Sequence, residues 1–210
     1  MGIRKVRWLG PVLISIVACT PVRRVSSVPM QSGVSQPIAL QEPESFDRIV
    51  DRQLRSKALF VEAGKVFTHP RCTNCHPTDD TPRQGDLRKI HEPPVTRGAG
   101  GHGVFINACH ACHQASNNID APVPGAPQWH LAPKEMAWHG VPLAKLCAQL
   151  KDPNRNGHRT LAQIIDHSTR DPLVGWGWEP GAGRTPVPGT QEKFGALLTA
   201  WAASGAACPD

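Results

Sequence analysis

Two stretches decide how this chain reads: Cys72-Thr73-Asn74-Cys75-His76 and Cys109-His110-Ala111-Cys112-His113. Each holds two cysteines separated by two residues, with a histidine directly after the second. In covalent haem attachment, each cysteine adds across one vinyl group of the porphyrin to form a thioether. Two intervening residues let one turn of backbone span the two vinyl positions, and the next residue then reaches under the ring as proximal iron ligand. The spacing predicts thioethers at Cys72, Cys75, Cys109 and Cys112, and proximal ligands at His76 and His113. A zinc ribbon built from the four cysteines is the rival, but it has no use for a histidine after both pairs. A thioredoxin-like redox pair needs a βαβ setting, and the chain carries no strand pattern.

The composition fits a chain that borrows part of its core. Its 210 residues include 21 Pro and 19 Gly, only five Phe and no Tyr. Such a chain has many turns and few large side chains, and two haem c groups would supply the missing apolar bulk. The formal charge is +6, but Arg4, Lys5 and Arg7 fall in a leader segment, and the +3 that remains is too mild to indicate nucleic acid. No run of 18 apolar residues predicts a spanning helix.

Residues 1–18 read as a secretory signal, with a basic start followed by a short apolar run. The run ends in Ile16-Val17-Ala18-Cys19, which resembles a bacterial lipobox; a plain signal-peptidase site after Ala18 is the alternative. Acylation of Cys19 would tie the protein to a membrane by lipid alone. Thr20 stands where an Asp is the usual inner-membrane retention signal, so sorting to the periplasmic side of the outer membrane is favoured. Residues 19–44, rich in Pro, Ser, Gln and Val, read as a flexible tether, and residues 45–210 as the dihaem domain.

Within that domain, Phe46, Ile49, Val50, Leu54, Leu59, Ala63 and Val66 fall near a 3.6-residue period and predict a helix running into the first motif. Residues 77–103 and 122–133 read as loops. Three further helices are expected at 141–151, at 161–170 with a Thr160/Gln163 capping box, and at 191–203. The fold class is mainly α: a small cytochrome c-like helical domain with long Pro/Gly-rich loops around two covalent haems and no significant sheet.

The distal face of each iron is open to several residues. His110 lies inside an attachment turn and Met30 in the tether, while His69 is too near Cys72 to reach the far face of its own haem. His158 and His167 read as surface or helix-end histidines. His91, His102 and His130, in loops that can fold over a haem face, are the preferred distal ligands, with His139 and Met136 also in reach. A methionine there would raise the potential relative to a histidine. Cys147 and Cys208 remain. In an oxidising compartment they read as a disulfide closing a 60-residue loop, worth roughly 3–5 kcal/mol, with two buried free thiols as the alternative.

Several further stretches carry a family resemblance. They include His69-Pro70-Arg71 into the first motif, His91-Glu92-Pro93-Pro94-Val95, Gly101-His102-Gly103, Pro127-Gln128-Trp129-His130-Leu131-Ala132-Pro133 and Asp171-Pro172-Leu173-Val174-Gly175-Trp176. Together they resemble small dihaem proteins known as isoquinoline 1-oxidoreductase subunits, over about residues 44–209. The resemblance implies a redox partner of the molybdenum hydroxylase type, which oxidises N-heteroaromatic rings, with this chain as the electron-accepting subunit. The expectation is therefore an electron carrier whose partner is a dehydrogenase or another cytochrome. A peroxidase-like haem enzyme and a haem-based sensor are the alternatives, and both need an open iron position.

Overall fold

The computed structural model describes residues 1–2 and 39–210. The leader, the lipobox at Cys19 and most of the tether lie outside the described residues. The described residues are mainly helical with no significant sheet, as expected: their strands form only two small antiparallel hairpins.

The core is built by three helices. Helix α1 (Arg52–Phe67) packs on α6 (Gln191–Ala203), and α6 packs on α4 (Leu161–Arg170). Phe60 and Trp201 meet at 4.8 Å between ring centroids and Phe67 and Phe194 at 5.0 Å, all four buried. Each such side chain contributes about 2 kcal/mol through burial. Gly195 lets α4 and α6 approach closely, because a Cβ there would sit 2.2 Å from Thr169 Oγ1. Helix α3 (Leu143–Leu150) closes one side with Leu146 and Leu150, and the last residues return to it through a Cys147–Cys208 disulfide. Ser56 fastens the same end: its hydroxyl donates to Trp201 O at 3.2 Å and accepts from Ala207 N–H at 2.9 Å.

Helix ends follow their caps. Thr160 and Gln163 form the expected capping box on α4, and Thr190 accepts from Lys193 N–H at the start of α6. Two short helices complete the set: α2 (Pro70–Thr73), which carries the first motif, and α5 (Pro172–Gly175), opened by Asp171 and a proline.

The structure departs from the sequence reading at the N-terminal side. The helical pattern that opens at residue 45 is a short 3₁₀ turn at Pro43–Phe46, a break ahead of Asp51 rather than near Ser56, and then α1 capped by Asp51. Val50 and Leu54, read as parts of an apolar stripe, are exposed. The ordered domain also begins before residue 45. Leu40 is buried in the core, and Gln41 N–H donates to the buried carboxylate of Glu62 at 2.9 Å.

The region expected to be loop between the motifs holds both hairpins. Strands β1 (Arg83–Gln84) and β2 (Lys89–Ile90) pair Arg83 with Ile90; β3 (Gly103–Val104) and β4 (Asn107–Ala108) pair Gly103 with Ala108. Among the described residues no helix is long and apolar enough to cross a membrane.

Candidate functional site

The two motifs fold into the same turn. In the first, Cys72 O accepts from Cys75 N–H at 3.1 Å and from His76 N–H at 3.2 Å. In the second, Cys109 O accepts from Cys112 N–H at 3.2 Å and from His113 N–H at 2.9 Å. The first turn continues α2; the second is a 3₁₀ turn at Cys109–Ala111 that follows β4 directly. Both present two sulfurs and a following imidazole from one turn of backbone.

The two imidazoles are held in the same way. His76 Nδ1 lies 2.8 Å from Met136 O, and His113 Nδ1 lies 2.7 Å from Pro124 O. A carbonyl oxygen can only accept, so each Nδ1 carries the proton and each Nε2 keeps the lone pair that a metal ligand needs. Each ring is also backed by a tryptophan: Trp138 stacks on His76 at 3.3 Å and 5°, and Trp129 on His113 at 4.5 Å and 10°.

One segment, residues 129–139, serves both turns. Ala132 N–H donates to Cys75 O at 3.1 Å and Trp138 N–H to His76 O at 2.9 Å, while Leu131 N–H reaches Gly101 O at 2.9 Å ahead of the second motif. Gly101, at φ +81°, is required there, since a Cβ would stand 2.2 Å from Leu131 O. Arg97, buried behind this segment, donates to Ala132 O and to Asp79 O and pairs with Asp80. Around the first turn, Arg71 is buried against Asp86 at 2.6 Å and lies over Trp176 at 5.8 Å. Trp176 in turn meets Trp129 edge-on at 4.9 Å.

Burial dominates the electrostatics. It pushes the Cys72 thiol up to about 12 and the Cys75 thiol up to about 11, and raises Cys109 as well. Reactive or zinc-binding cysteines need an environment that favours thiolate, and this one favours the thiol. Burial also pushes His76 down to about 3 and lowers His113, so both rings are neutral at pH 7. Gly101 O takes both Leu131 N–H at 2.9 Å and Cys109 Sγ at 3.8 Å, while the next residue, Ala132, bonds Cys75 O, which makes the two turns neighbours. Among the described residues, no three His, Cys, Asp or Glu side chains converge as a metal-binding group, whereas a zinc ribbon would bring four together.

The distal candidates divide on the same Nδ1 criterion. His91 Nδ1 is 2.8 Å from Pro93 O, and its ring lies 5.9 Å from that of His113. His130 Nδ1 is held by Gln128 O. Both keep Nε2 free as an acceptor. His102 is exposed and joins the fold through its backbone: its carbonyl accepts from Cys109 N–H at 2.9 Å, and its ring rests 5.1 Å from His130. His69 is a helix cap, its Nδ1 accepting from Arg71 N–H at 3.2 Å, which places the proton on Nε2. Met136 is buried and contributes its carbonyl to His76.

His167 reads in sequence as a helix-end residue. The structure half-buries it, with Nδ1 3.0 Å from Asp171 Oδ2. The signal available in the sequence was the four-residue spacing of a His and an Asp at the end of a capped helix. Searches against protein-family models, curated proteins and solved structures found no match to this chain.

Proposed function

We propose that this chain is an exported electron-transfer protein carrying two covalent haem c groups, one on Cys72 and Cys75 with His76, the other on Cys109 and Cys112 with His113. The observation that carries the reading is the repeated device: two Cys-x-x-Cys-His turns with the same backbone bonds, each ending in an imidazole whose Nδ1 is fixed on a backbone carbonyl. A metal-binding histidine is ordinarily oriented in this way by its other nitrogen.

The surroundings fit such a group. Trp138 Nε1 and Arg71 Nε are buried donors without a protein partner, and both stand beside the first turn, free to take a carboxylate such as a haem propionate. The second turn is flanked by bare apolar surface, with Phe105 and Ile106 exposed at the tip of the β3–β4 hairpin. When bound, a haem supplies one-electron iron chemistry. The protein's part is to hold the imidazoles neutral, exclude water from His76, and keep the two turns side by side.

Neighbouring redox centres in a small domain suit electron transfer to and from a protein partner. The sequence resemblance supports a dehydrogenase of the molybdenum hydroxylase type in that role, with another cytochrome as the next acceptor. Export follows from the signal at residues 1–18, and lipid anchoring on the periplasmic side from Cys19.

The test is haem content of the exported chain. Two haems per chain should survive acidified-acetone extraction, and both should be low-spin and refuse carbon monoxide when reduced. A chain that yields no covalent haem, or that binds zinc in its place, sinks the reading. A high-spin haem that takes up carbon monoxide would favour an enzyme or sensor instead.

A further inference from the structure

One histidine outside the motifs repeats the feature that marks the proximal pair, and it does so from a helix. His167 sits in the last turn of α4, which packs on α6 at the core. Its Nδ1 faces Asp171 Oδ2 at 3.0 Å. Asp171 is itself fixed on every side. Its Oδ1 accepts from Leu173 N–H at 2.8 Å, its N–H donates to His167 O at 3.1 Å, and its carbonyl accepts from Gln191 Nε2 at 3.0 Å. The carboxylate therefore orients the imidazole as a carbonyl orients His76 and His113.

Burial outweighs the attraction of Asp171 and lowers the pKa of His167, so the ring is neutral at pH 7 and Nε2 carries the lone pair. His167 also lines a cleft of about 360 Å³ with Arg159, Gln163, Asp166, Arg170 and Asp171. The first site reaches this cleft through Met136: its carbonyl holds His76, and its sulfur lies beside Gly157, where a Cβ would stand 3.6 Å from Met136 Sδ and 2.8 Å from Nη1 of Arg159, a residue that lines the cleft with His167. His130 is tied within its own loop to Gln128 and lies against His102. The His91 ring lies 5.9 Å from that of His113.

Resting on the dihaem reading above, we infer that His167 is the second axial ligand of the iron that His76 holds, with Asp171 as its positioning residue. The assignment gives each iron two imidazoles: His76 and His167 on one, His113 and His91 on the other. It also gives the first iron a distal ligand from the helical core, while the second takes one from a loop. Every axial nitrogen in this scheme is an Nε2 whose partner Nδ1 is anchored on an oxygen.

The test uses the exported full-length holoprotein and its His167→Ala, His167→Met and His130→Ala variants, with electron paramagnetic resonance and redox titration as readouts. Covalent haem content is measured first. His167→Ala should keep two haems and convert one of them from low-spin to high-spin, and added imidazole should restore the low-spin signal. His167→Met, which keeps a ligand at the position, should stay low-spin and raise the potential of one haem only. His130→Ala should leave both haems low-spin. Two low-spin haems with unchanged potentials in both His167 variants overturn the inference, as does a high-spin haem in His130→Ala alone. If His167→Ala does not accumulate, His167→Met decides by the potential. Wild-type protein without covalent haem fails at the first measurement; the dihaem reading then falls, and this inference with it.

Discussion

Behind Cys72 and Cys75 stand the 16 residues of α1, the aromatic cluster of Phe60, Phe67, Phe194 and Trp201, and Trp138, which bridges Phe67 and His76. Behind Cys109 and Cys112 stands a hairpin with two residues in each strand, whose tip bares Phe105 and Ile106, and Cys112 itself is exposed. The turns are nearly identical in backbone, yet one is an outgrowth of the core and the other hangs on loops. A Cys-x-x-Cys-His turn is thus a local device that needs little from the fold around it. Water exclusion and rigidity come from the scaffold, and here the first site receives far more of both.

The largest expected effect breaks the pair apart. Removing both cysteines of the first motif, as Cys72→Ala with Cys75→Ala, should abolish cooperative thermal melting, because Cys72 and Trp138 pack directly against the core. Removing Cys109 and Cys112 in the same way should leave a cooperatively melting helical core and one covalent haem. Circular dichroism melts of the two double variants check this. Equal losses in both would mean that the core does not distinguish the sites.

The Cys147–Cys208 bond lies on the core side of that contrast, tying α3 to the segment after α6 across 61 residues. Replacing both cysteines by alanine should lower stability by about 4 kcal/mol by the loop-entropy relation, read from denaturant midpoints at constant slope. The visible spectrum of the holoprotein should stay the same before unfolding begins, since the bond joins α3 to the C-terminal segment and holds neither motif's turn.

Much of this asymmetry could not be read along the chain. The motifs, the capping box of α4 and the apolar period of α6 are local patterns, and the structure has each where the sequence puts it. The partners of the imidazoles are not local. Met136 O lies 60 residues from His76 and belongs to a Pro-rich segment with no period, and Pro124 O is equally featureless as a sequence signal. The hairpins leave no mark in the sequence because two-residue strands are too short for alternation to show. The start of α1 is hidden in the sequence because Val50 and Leu54 keep the helical spacing without being buried. Among the histidines, tautomer was the missing information. In sequence His102 ranks ahead of His130, and only the acceptor at Nδ1 separates them in the structure.

The two tryptophans measure the scaffold difference directly. Trp138 touches both His76 and Phe67, the latter edge-on at 5.4 Å, so Trp138→Ala should cost about 3 kcal/mol as a partly core substitution. Trp129 stacks on His113 and meets Trp176 outside the buried core cluster, and Trp129→Ala should cost about 1 kcal/mol, near the worth of an aromatic pair. Chemical denaturation of the two variants gives the difference. A larger loss for Trp129→Ala would reverse the ranking of the sites.

The smallest effect expected is also specific to the first site. His69 caps α2 by accepting from Arg71 N–H, which requires an unprotonated Nδ1. Burial, and then the charge of Arg71, push its pKa down from 6.5 to about 4. A folded-state pKa below the unfolded value means that the unfolded chain binds the proton more readily. The cap's contribution is therefore complete above pH 6.5 and is lost as the pH falls from 6.5 towards 4. Asparagine is a good cap and does not titrate, so His69→Asn should preserve stability at pH 7.5 and flatten the decline in melting temperature between pH 6.5 and 4. The second turn has no such cap, its 3₁₀ start at Ala108 offering no side-chain bond, so this slope belongs to the first site alone. If the decline in His69→Asn matches that of the parent protein, the acid sensitivity comes from another buried base, and His76 itself, pushed down to about 3, is the group to examine next.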